Sequence, residues 1–276
     1  MLPYIACLVE ACQELDLKYS FIDQNHNYLV AELPNGQKLN FLNTTTPFNR
    51  EDIARIAQDK SFTYQTLLGL INMPKTEGFI DPFVKSEFQE YAKIKNFQDL
   101  ANTIQQNFSC PVITKPNFKS QGVNVQKSYS FDQILASAKT IFDKNSRNYD
   151  FILLAQDFVP TYQEFRVIVY KKKVVLVYLK DVSEANFTDN LSPLHWQNSK
   201  AVQIQDQNLN QEIEDFIAPI FDKFDLVYGG LDLILDPNHN WWLIEVNTQP
   251  GFRKFLQDNP SQNLTEMYRQ ILEKTI

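Results

Sequence analysis

The spacing of hydrophobic residues along the chain changes from a helical to a strand period and back several times. Apolar residues three and four positions apart predict helices, and alternating apolar and polar residues predict strands. In residues 1–59 the helical spacing is carried by Ile5, Leu8, Val9, Cys12 and Leu15. Two strands at about 27–33 and 37–42 then flank Asn35-Gly36, a dipeptide typical of hairpin turns. We therefore expect a short N-terminal α/β lobe.

Residues 60–155 mix helices with short strands. A helix begins near Asp59 and ends before Pro74. Beyond it we predict a helix at 97–108, a strand at 111–115, a helix that Ser130 and Gln133 cap and that runs to Phe142, and a strand at 151–155. This part of the chain forms a second predicted unit.

Residues 156–276 begin with stronger strand character. Two β-branched runs, 164–170 and 174–179, are joined by three lysines, which predicts a hairpin. Residues 180–200 are polar and have no clear period, and so long a loop is usually either functional or disordered. The remaining predicted elements are an amphipathic helix with Ile213, Phe216, Ile217, Ile220 and Phe224 inward, strands at 230–235 and 241–246, and a helix from about Pro260. Because helices and strands mix without strict βαβ alternation, the predicted class is α+β.

Charge and composition argue against several classes of protein. The 26 Lys and Arg residues are outnumbered by 33 Asp and Glu, and a net charge of −7 disfavours general binding to nucleic acid or anionic membranes. The longest apolar runs are too short to cross a bilayer as a helix, which takes about 20 residues. The three cysteines lack the spacing of a disulfide framework or a zinc site, and the apolar start has no basic segment typical of a signal peptide. We expect a cytoplasmic protein.

Glycine is scarce, with only seven residues in the chain. Neither GxGxxG nor a P-loop motif occurs, so neither of these glycine-rich motifs holds a nucleotide here. No glycine lies between Val123 and Tyr228.

The most specific candidate for chemistry lies near the C-terminus, in two neighbouring strands. Glu245 and Asn247 are two residues apart and share a strand face, and Asp232 lies on the other strand of the predicted hairpin. Two carboxylates and an amide oxygen suit a hard cation such as Mg²⁺. The same pattern also occurs as a solvent-facing polar stripe. Apolar neighbours and the Pro250-Gly251 turn favour the metal site.

Two further segments suit a nucleotide. Lys115 ends a strand and precedes a polar loop containing Gly122, so an ammonium group and backbone N–H groups can surround a phosphate. Farther on, the apolar strand that leads into 156–159 can provide a flat slot for adenine, and Glu164 can hold ribose hydroxyls. Taken singly, each of these residues also has an ordinary structural explanation.

In this order, the three elements resemble the ATP-grasp fold. Residues from about 56 to 256 are similar to ATP-grasp carboxylate–amine ligases, closest to the modules of bifunctional glutathione synthetases and cyanophycin synthetases and to the ribosomal-protein glutamate ligases. The resemblance implies two α+β lobes that clamp ATP, a central or lid subdomain at 60–155 and a catalytic subdomain at 156–276. It also implies that 1–59 is a truncated N-terminal lobe.

The resemblance assigns roles residue by residue. Nucleotide binding is implied for Lys60, Lys115, Ser120, Gln121, Gly122, Val123, Gln156, Asp157, Phe158, Val159 and Glu164. Arg166 matches the arginine that faces the transferred phosphoryl group, and Lys180 is placed more loosely as a basic residue facing the acyl phosphate. The Mg²⁺ ligands, with Mn²⁺ as an alternative metal, are Asp232, Glu245 and Asn247. Relatives often have Glu where this chain has Gln156.

One part of the family pattern is missing. The glutathione and ribosomal-protein groups have an Asn followed by Gly-Gly in the loop over the acceptor site, and the nearest segment here is Asn198-Ser199-Lys200-Ala201. Together with the short N-terminal lobe, this leaves room for a second copy or a partner subunit to complete the substrate site.

The implied reaction joins a small-molecule or peptide carboxylate to an amine through an acyl phosphate, with release of ADP and phosphate. It requires no protein nucleophile, in agreement with the absence of a Ser-His-Asp or Cys-His set, because His26, His195 and His239 all fall in polar loops or turns. Two other functions remain open: a nucleotide-binding regulatory or assembly subunit without ligase activity, and a small-molecule phosphotransferase.

Overall fold

The predicted N-terminal hairpin forms and belongs to a three-stranded antiparallel sheet. The computed structural model describes all residues from Met1 to Ile276. The first elements are α1 (Pro3–Glu14), β1 (Lys18–Phe21), β2 (Tyr28–Glu32) and β3 (Lys38–Leu42). Gly36 takes a φ of +84° in the turn between β2 and β3, a conformation that glycine adopts without steric cost.

Two helices lead into a four-stranded antiparallel sheet. The elements are α2 (Glu51–Gln58), α3 (Lys60–Leu67), β4 (Thr76–Ile80), α4 (Phe97–Asn107), β5 (Val112–Pro116), β6 (Gln126–Ser128), α5 (Phe131–Ile141) and β7 (Ile152–Asp157). The strand order is β4-β7-β5-β6. Helices α4 and α5 cover one face, where Leu100, Ile104 and Ile134 pack against Leu153 and Ala155 of β7. The other face is left for a cleft.

The rest of the chain builds a larger sheet and the helices around it. These elements are β8 (Gln163–Tyr170), β9 (Lys173–Asp181), β10 (Lys200–Ile204), α6 (Gln207–Ile217), α7 (Ile220–Lys223), β11 (Tyr228–Leu235), β12 (Trp241–Asn247), α8 (Arg253–Asp258) and α9 (Ser261–Glu273). The five strands are antiparallel in the order β10-β9-β8-β11-β12.

Alternation along these strands gives the five-stranded sheet two different faces. Val167 and Leu231 point into a core shared with α2, α6 and α7. On the opposite face, Ile168 and Tyr228 join a second core that includes α1, the three-stranded sheet and α9. The polar remainder of this face lines the cleft.

Side chains cap both outer strands of the five-stranded sheet. Asn72 Nδ2 donates to the carbonyl of Trp241 on β12. At the other edge, Asp258 accepts from the Ala201 N–H and Asn259 Nδ2 donates to the Ala201 carbonyl of β10. Unpaired strand edges invite association with other chains, so these contacts protect the sheet.

The structure confirms the α+β class and corrects three local predictions. The amphipathic helix predicted to include Ile220 and Phe224 is divided at Pro219 into α6 and α7, because proline removes a helical N–H. The polar stretch 180–200 contains a short 3₁₀ turn, Pro193–His195, and ends where β10 begins. A further helix, α8, lies between β12 and α9. None of the helices has the length and apolar character needed to cross a membrane.

Candidate active site

A cleft of about 1530 Å³ lies between the polar faces of the two larger sheets. All of the residues assigned from the sequence to nucleotide, metal or catalysis line it, with the exception of Val123. The loop turns back at Gln121 and Gly122, both with positive φ, and the Val123 N–H bonds to the Ser120 carbonyl. Val123 is therefore the one predicted nucleotide-binding residue that does not line the cleft, although its neighbours Gln121 and Gly122 do.

The three predicted metal ligands lie on adjacent strands in register. Asp232 on β11 is directly opposite Glu245 on β12, and Asn247 is opposite Gly230. The pairing shifts next to Asp232, so that Leu243 and Val246 both face the core although they are three residues apart. Ile244 and Glu245 consequently both line the cleft.

A buried network of four charges occupies the centre of the cleft floor. Arg166 donates from Nε to Asp232 Oδ1 at 2.6 Å and from Nη2 to Oδ2 at 3.0 Å. Lys180 Nζ lies 2.7 Å from Asp232 Oδ1 and 2.5 Å from Glu164 Oε1. Two cations and two carboxylates balance one another, which is how buried charges are tolerated.

Electrostatic interactions in this network determine the pKa values of Asp232 and Lys180. Burial raises the pKa of Asp232, but Arg166 and Lys180 outweigh this effect and hold the pKa at about 2. Burial lowers the pKa of Lys180, yet Asp232 and Glu164 reverse the shift and raise it. Asp232 and Lys180 are therefore both charged at neutral pH.

Two lysines from different elements approach the end of the cleft nearest β12. Lys60 follows the N-cap of α3, where Asp59 accepts from the Phe62 N–H. Its ammonium donates to the carbonyls of Asn117 and Lys119 in the loop after β5, and lies 3.7 Å from Glu245. Lys60 thus bridges that loop and the predicted metal ligands.

Lys115 is almost completely buried and has no carboxylate in direct contact. Its Nζ donates to Gln156 Oε1 at 2.8 Å, and Gln156 Nε2 donates in turn to Thr76 Oγ1. Burial lowers the pKa of Lys115 to about 8; Glu245 opposes this shift and Lys60 adds to it. A neutral amide at position 156 cannot supply the charge that would restore the pKa.

The segment after β7 contributes two of the apolar residues that line the cleft, Phe158 and Val159. Others are Pro74 and, from the two sheets, Ile113, Ile234 and Ile244. Lys127 of β6 places its ammonium 3.4 Å from the centroid of the Phe158 ring, a cation–π contact. Sequence reasoning missed both Lys127 and Ile244, because the unbroken apolar run Trp241 to Ile244 gives no alternation from which the bulge could be inferred.

The segment at 182–199 contacts the loop after β5 through Asn190. Asn190 Nδ2 donates to the Gln121 carbonyl, and the Asn190 carbonyl accepts from the Trp196 indole. By contrast, the predicted acceptor-loop segment beginning at Asn198 does not form a loop over the cleft. Its Lys200 and Ala201 start β10, where backbone pairing with β9 holds them.

The donor set fits a hard divalent cation. No three His, Cys, Asp or Glu side chains are arranged to hold a metal by themselves. Asp232, Glu245 and Asn247 supply two carboxylates and an amide, and the Asn247 side chain makes no hydrogen bond within the protein. Such partial oxygen sets are what Mg²⁺ uses when waters and phosphate oxygens complete its shell.

Comparison with known proteins gives a family and a fold. A family model described as a RimK-like ATP-grasp domain matches residues 84–271. Over 172 residues the chain is 29% identical to the Coenzyme gamma-F420-2:alpha-L-glutamate ligase of Methanococcus maripaludis, covering 60% of this chain and 53% of that protein. The chain thus spans about half the length of this curated relative.

Solved structures show the same fold at low sequence identity. A bifunctional glutathione synthetase from Pasteurella multocida matches with a TM-score of 0.56 and 14% identity over 99% of this chain and 43% of that chain. An ATP-grasp RimK domain protein from Sphaerobacter thermophilus matches with a TM-score of 0.55 and 13% identity over 81% and 70% of the two chains. The predicted ATP-grasp fold is confirmed.

Proposed function

Because the chain belongs to the family of RimK-like ATP-grasp domains, we propose that it is an ATP-dependent ligase that joins a carboxylate to an amine and releases ADP and phosphate. The observation that carries the proposal is the meeting of four cations with three oxygen-donor side chains in one cleft. These are Lys60, Lys115, Arg166 and Lys180 on one hand, and Asp232, Glu245 and Asn247 on the other. This combination suits a polyphosphate and its metal.

The nucleotide would lie between the two sheets. Lys60 and Lys115 approach from α3 and β5 and would neutralise phosphate oxygens. The loop Ser120–Gly122 lies next to Lys60 and offers backbone N–H groups to the phosphates. The apolar residues around 156–159 provide a slot for adenine, and Glu164 lies beside it on β8 for the ribose hydroxyls.

The metal would be Mg²⁺ or Mn²⁺ held by Asp232, Glu245 and Asn247. When bound, a divalent ion of this kind neutralises charge on phosphate oxygens and orients them. The hardness of the three oxygen donors supports this assignment.

The proposed reaction has two steps. An oxygen of the substrate carboxylate attacks the γ-phosphorus of ATP, the bond to the β–γ bridging oxygen breaks, and ADP leaves. The substrate amine then attacks the acyl carbon, loses a proton and displaces phosphate, so that an amide remains. Arg166 and Lys180 would stabilise negative charge on the transferred group, and their burial would strengthen this effect.

The substrates are proposed to be amino acids or peptides. A second copy of the chain or a partner subunit is proposed to complete the substrate site. A cytoplasmic location is proposed from the three free cysteines, which fit a reducing compartment.

Hydroxylamine trapping tests the function. The purified protein is incubated with ATP, MgCl₂, hydroxylamine and individual amino acids or peptides, and hydroxamate and ADP are measured. We expect hydroxamate with at least one carboxylate, and its loss in Glu245→Gln. The exposed Glu184 lies outside the cleft, so Glu184→Gln serves as the matched control.

The other outcomes have distinct signatures. Nucleotide binding without hydroxamate from any carboxylate would show a binding subunit and overturn the proposal. A stable phosphorylated product that hydroxylamine does not intercept would show a phosphotransferase.

A further inference from the structure

Helix α8 contributes one wall of the cleft, and the segment at 182–199 also lines the cleft. Arg253, Lys254 and Gln257 of α8 line the cleft, whereas Phe255 between them is buried in the core shared with the N-terminal lobe. Phe187 and Trp196 also line the cleft and pack edge to face. No nucleotide or metal role accounts for this wall.

The wall begins next to the buried charge network. Gly230 of β11 has no side chain, and a Cβ there would lie 2.9 Å from Pro250 Cβ and 3.1 Å from Arg166 Cδ. Pro250 and the Arg166 side chain therefore both lie close to Gly230. Arg253 follows this turn as the first residue of α8, and Asp258 at the other end of the helix bonds to Ala201 on β10.

The wall at α8 and the proposed phosphate site lie toward opposite edges of the five-stranded sheet. Lys60 contacts Glu245 on β12, at one edge of the sheet. Helix α8 starts near β11 and ends at β10, the opposite edge. A ligand on this wall would reach the central network from the side away from Lys60.

Arg253 is the cation of this wall that no acidic group neutralises. Lys254 Nζ lies 3.1 Å from Asp258 Oδ1. The Arg253 side chain makes no ion pair and no hydrogen bond within the protein, and it is exposed to the cleft.

We infer that Arg253 binds a carboxylate of the amine substrate, so that the preferred amines are amino acids or peptides with a free carboxylate. Guanidinium matches a carboxylate with two parallel hydrogen bonds. The reacting carboxylate of the other substrate belongs at Arg166 and Lys180, where the phosphoryl group arrives. Arg253 lines the same cleft just after the Pro250-Gly251 turn, and an amine that attacks the acyl carbon would direct its own carboxylate toward it. This inference rests on the proposed ligase function.

The experiment compares amines that differ only in the carboxylate. With a donor carboxylate identified by the hydroxamate assay, each amino acid is tested against its carboxamide, for example glycine against glycinamide. We expect the wild-type protein to prefer the amino acid by at least about 10-fold in kcat/KM. In Arg253→Gln, KM for the amino acid should rise about 10- to 100-fold and the preference should disappear. Arg253→Lys should restore part of it.

Hydroxylamine carries no carboxylate, so Arg253→Gln should lose far less of its hydroxamate formation than of its turnover of the amino acid. This readout also shows that the variant is folded. The exposed Arg50, which pairs with Asp52 outside the cleft, provides the control Arg50→Gln. Equal use of amino acid and carboxamide by the wild-type protein, or an unchanged preference in Arg253→Gln, would overturn the inference and leave the ligase function intact. Absence of hydroxamate from every donor would overturn both.

Discussion

Arg166 holds Asp232 through two parallel hydrogen bonds, so the aspartate is both a proposed metal ligand and the counter-ion of a buried arginine. The register of the sheet makes this pair, because Arg166 on β8 lies directly opposite Asp232 on β11. Glu245, the neighbour of Asp232 on the other side, contacts only Lys60 at the longer distance of 3.7 Å. The two carboxylates therefore contribute very differently to stability.

We predict that Asp232→Asn lowers the free energy of unfolding by about 3–5 kcal/mol, because two buried cations are left with one carboxylate. Glu245→Gln should cost less than about 1 kcal/mol, since its ion pair is long and partly solvated. Urea denaturation measures both, and both variants should lose hydroxamate formation. Equal stability losses in the two variants would contradict this difference.

Nucleotide affinity should depend on pH through Lys115. The protonated lysine attracts phosphate, and its pKa of about 8 means that the charge is lost as the pH rises above that value. We expect the affinity for an ATP analogue to fall by up to about 10-fold per pH unit above pH 8, with proton uptake on binding. Calorimetry in buffers of different ionisation enthalpy measures both quantities.

Two variants separate this effect from other titrations. In Lys115→Arg the guanidinium stays charged, so the affinity for the ATP analogue should become independent of pH over about pH 7.5–9.5. Gln156→Glu places a carboxylate against Lys115 and should move the inflection to higher pH. A flat profile in the wild-type protein would rule out this role for Lys115.

Gly122 should tolerate no side chain. It has a φ of +69°, and a Cβ would lie 2.1 Å from Asn190 Oδ1. We expect Gly122→Ala to raise KM for ATP and to lower stability by about 1–3 kcal/mol. Adding Asn190→Ala removes the clash and should recover part of the loss, leaving the backbone strain. Gly36→Ala, which is strained but has open space around it, measures that strain alone.

The protected edge at β10 should depend on Asn259. Its amide donates to the carbonyls of Ala201 and Phe255, so Asn259→Ala should cost about 1–3 kcal/mol and expose strand groups. We expect a lower urea midpoint and concentration-dependent association in light scattering. Asn238→Ala, in an exposed turn, is the control. Monomeric behaviour at every concentration would contradict the capping role.

The sequence predicted strands best where local patterns decide them. The hairpin of β11 and β12 is an example, because two apolar runs flank the polar turn at 237–240 and so place Asp232 and Glu245 on adjacent strands before any packing is known. Strand β10 escaped prediction, since its pairing with β9 spans a long polar segment. Lys180 was assigned only loosely, and its place against Glu164 and Asp232 became visible only once three strands lay side by side.

Contacts between distant loops could not be predicted from the sequence. Asn190 meets Gln121 across the cleft, and no spacing in the chain relates the two. The proposed role of Arg253 likewise depends on where α8 begins. The turn before this helix lies close to Gly230, because the absence of a side chain there leaves room for Pro250. Such relationships depend on how two sheets face each other, which residue patterns within a single element do not encode.

Helix α1 completes its packing only with the last helix of the chain. Thr265 of α9 donates to Glu10 of α1, and both helices contribute to one core with the five-stranded sheet. During synthesis α1 leaves the ribosome well before α9, so the part of its apolar face that packs against α9 would stay uncovered until α9 follows. During this interval, molecular chaperones that bind exposed apolar segments would be able to bind α1.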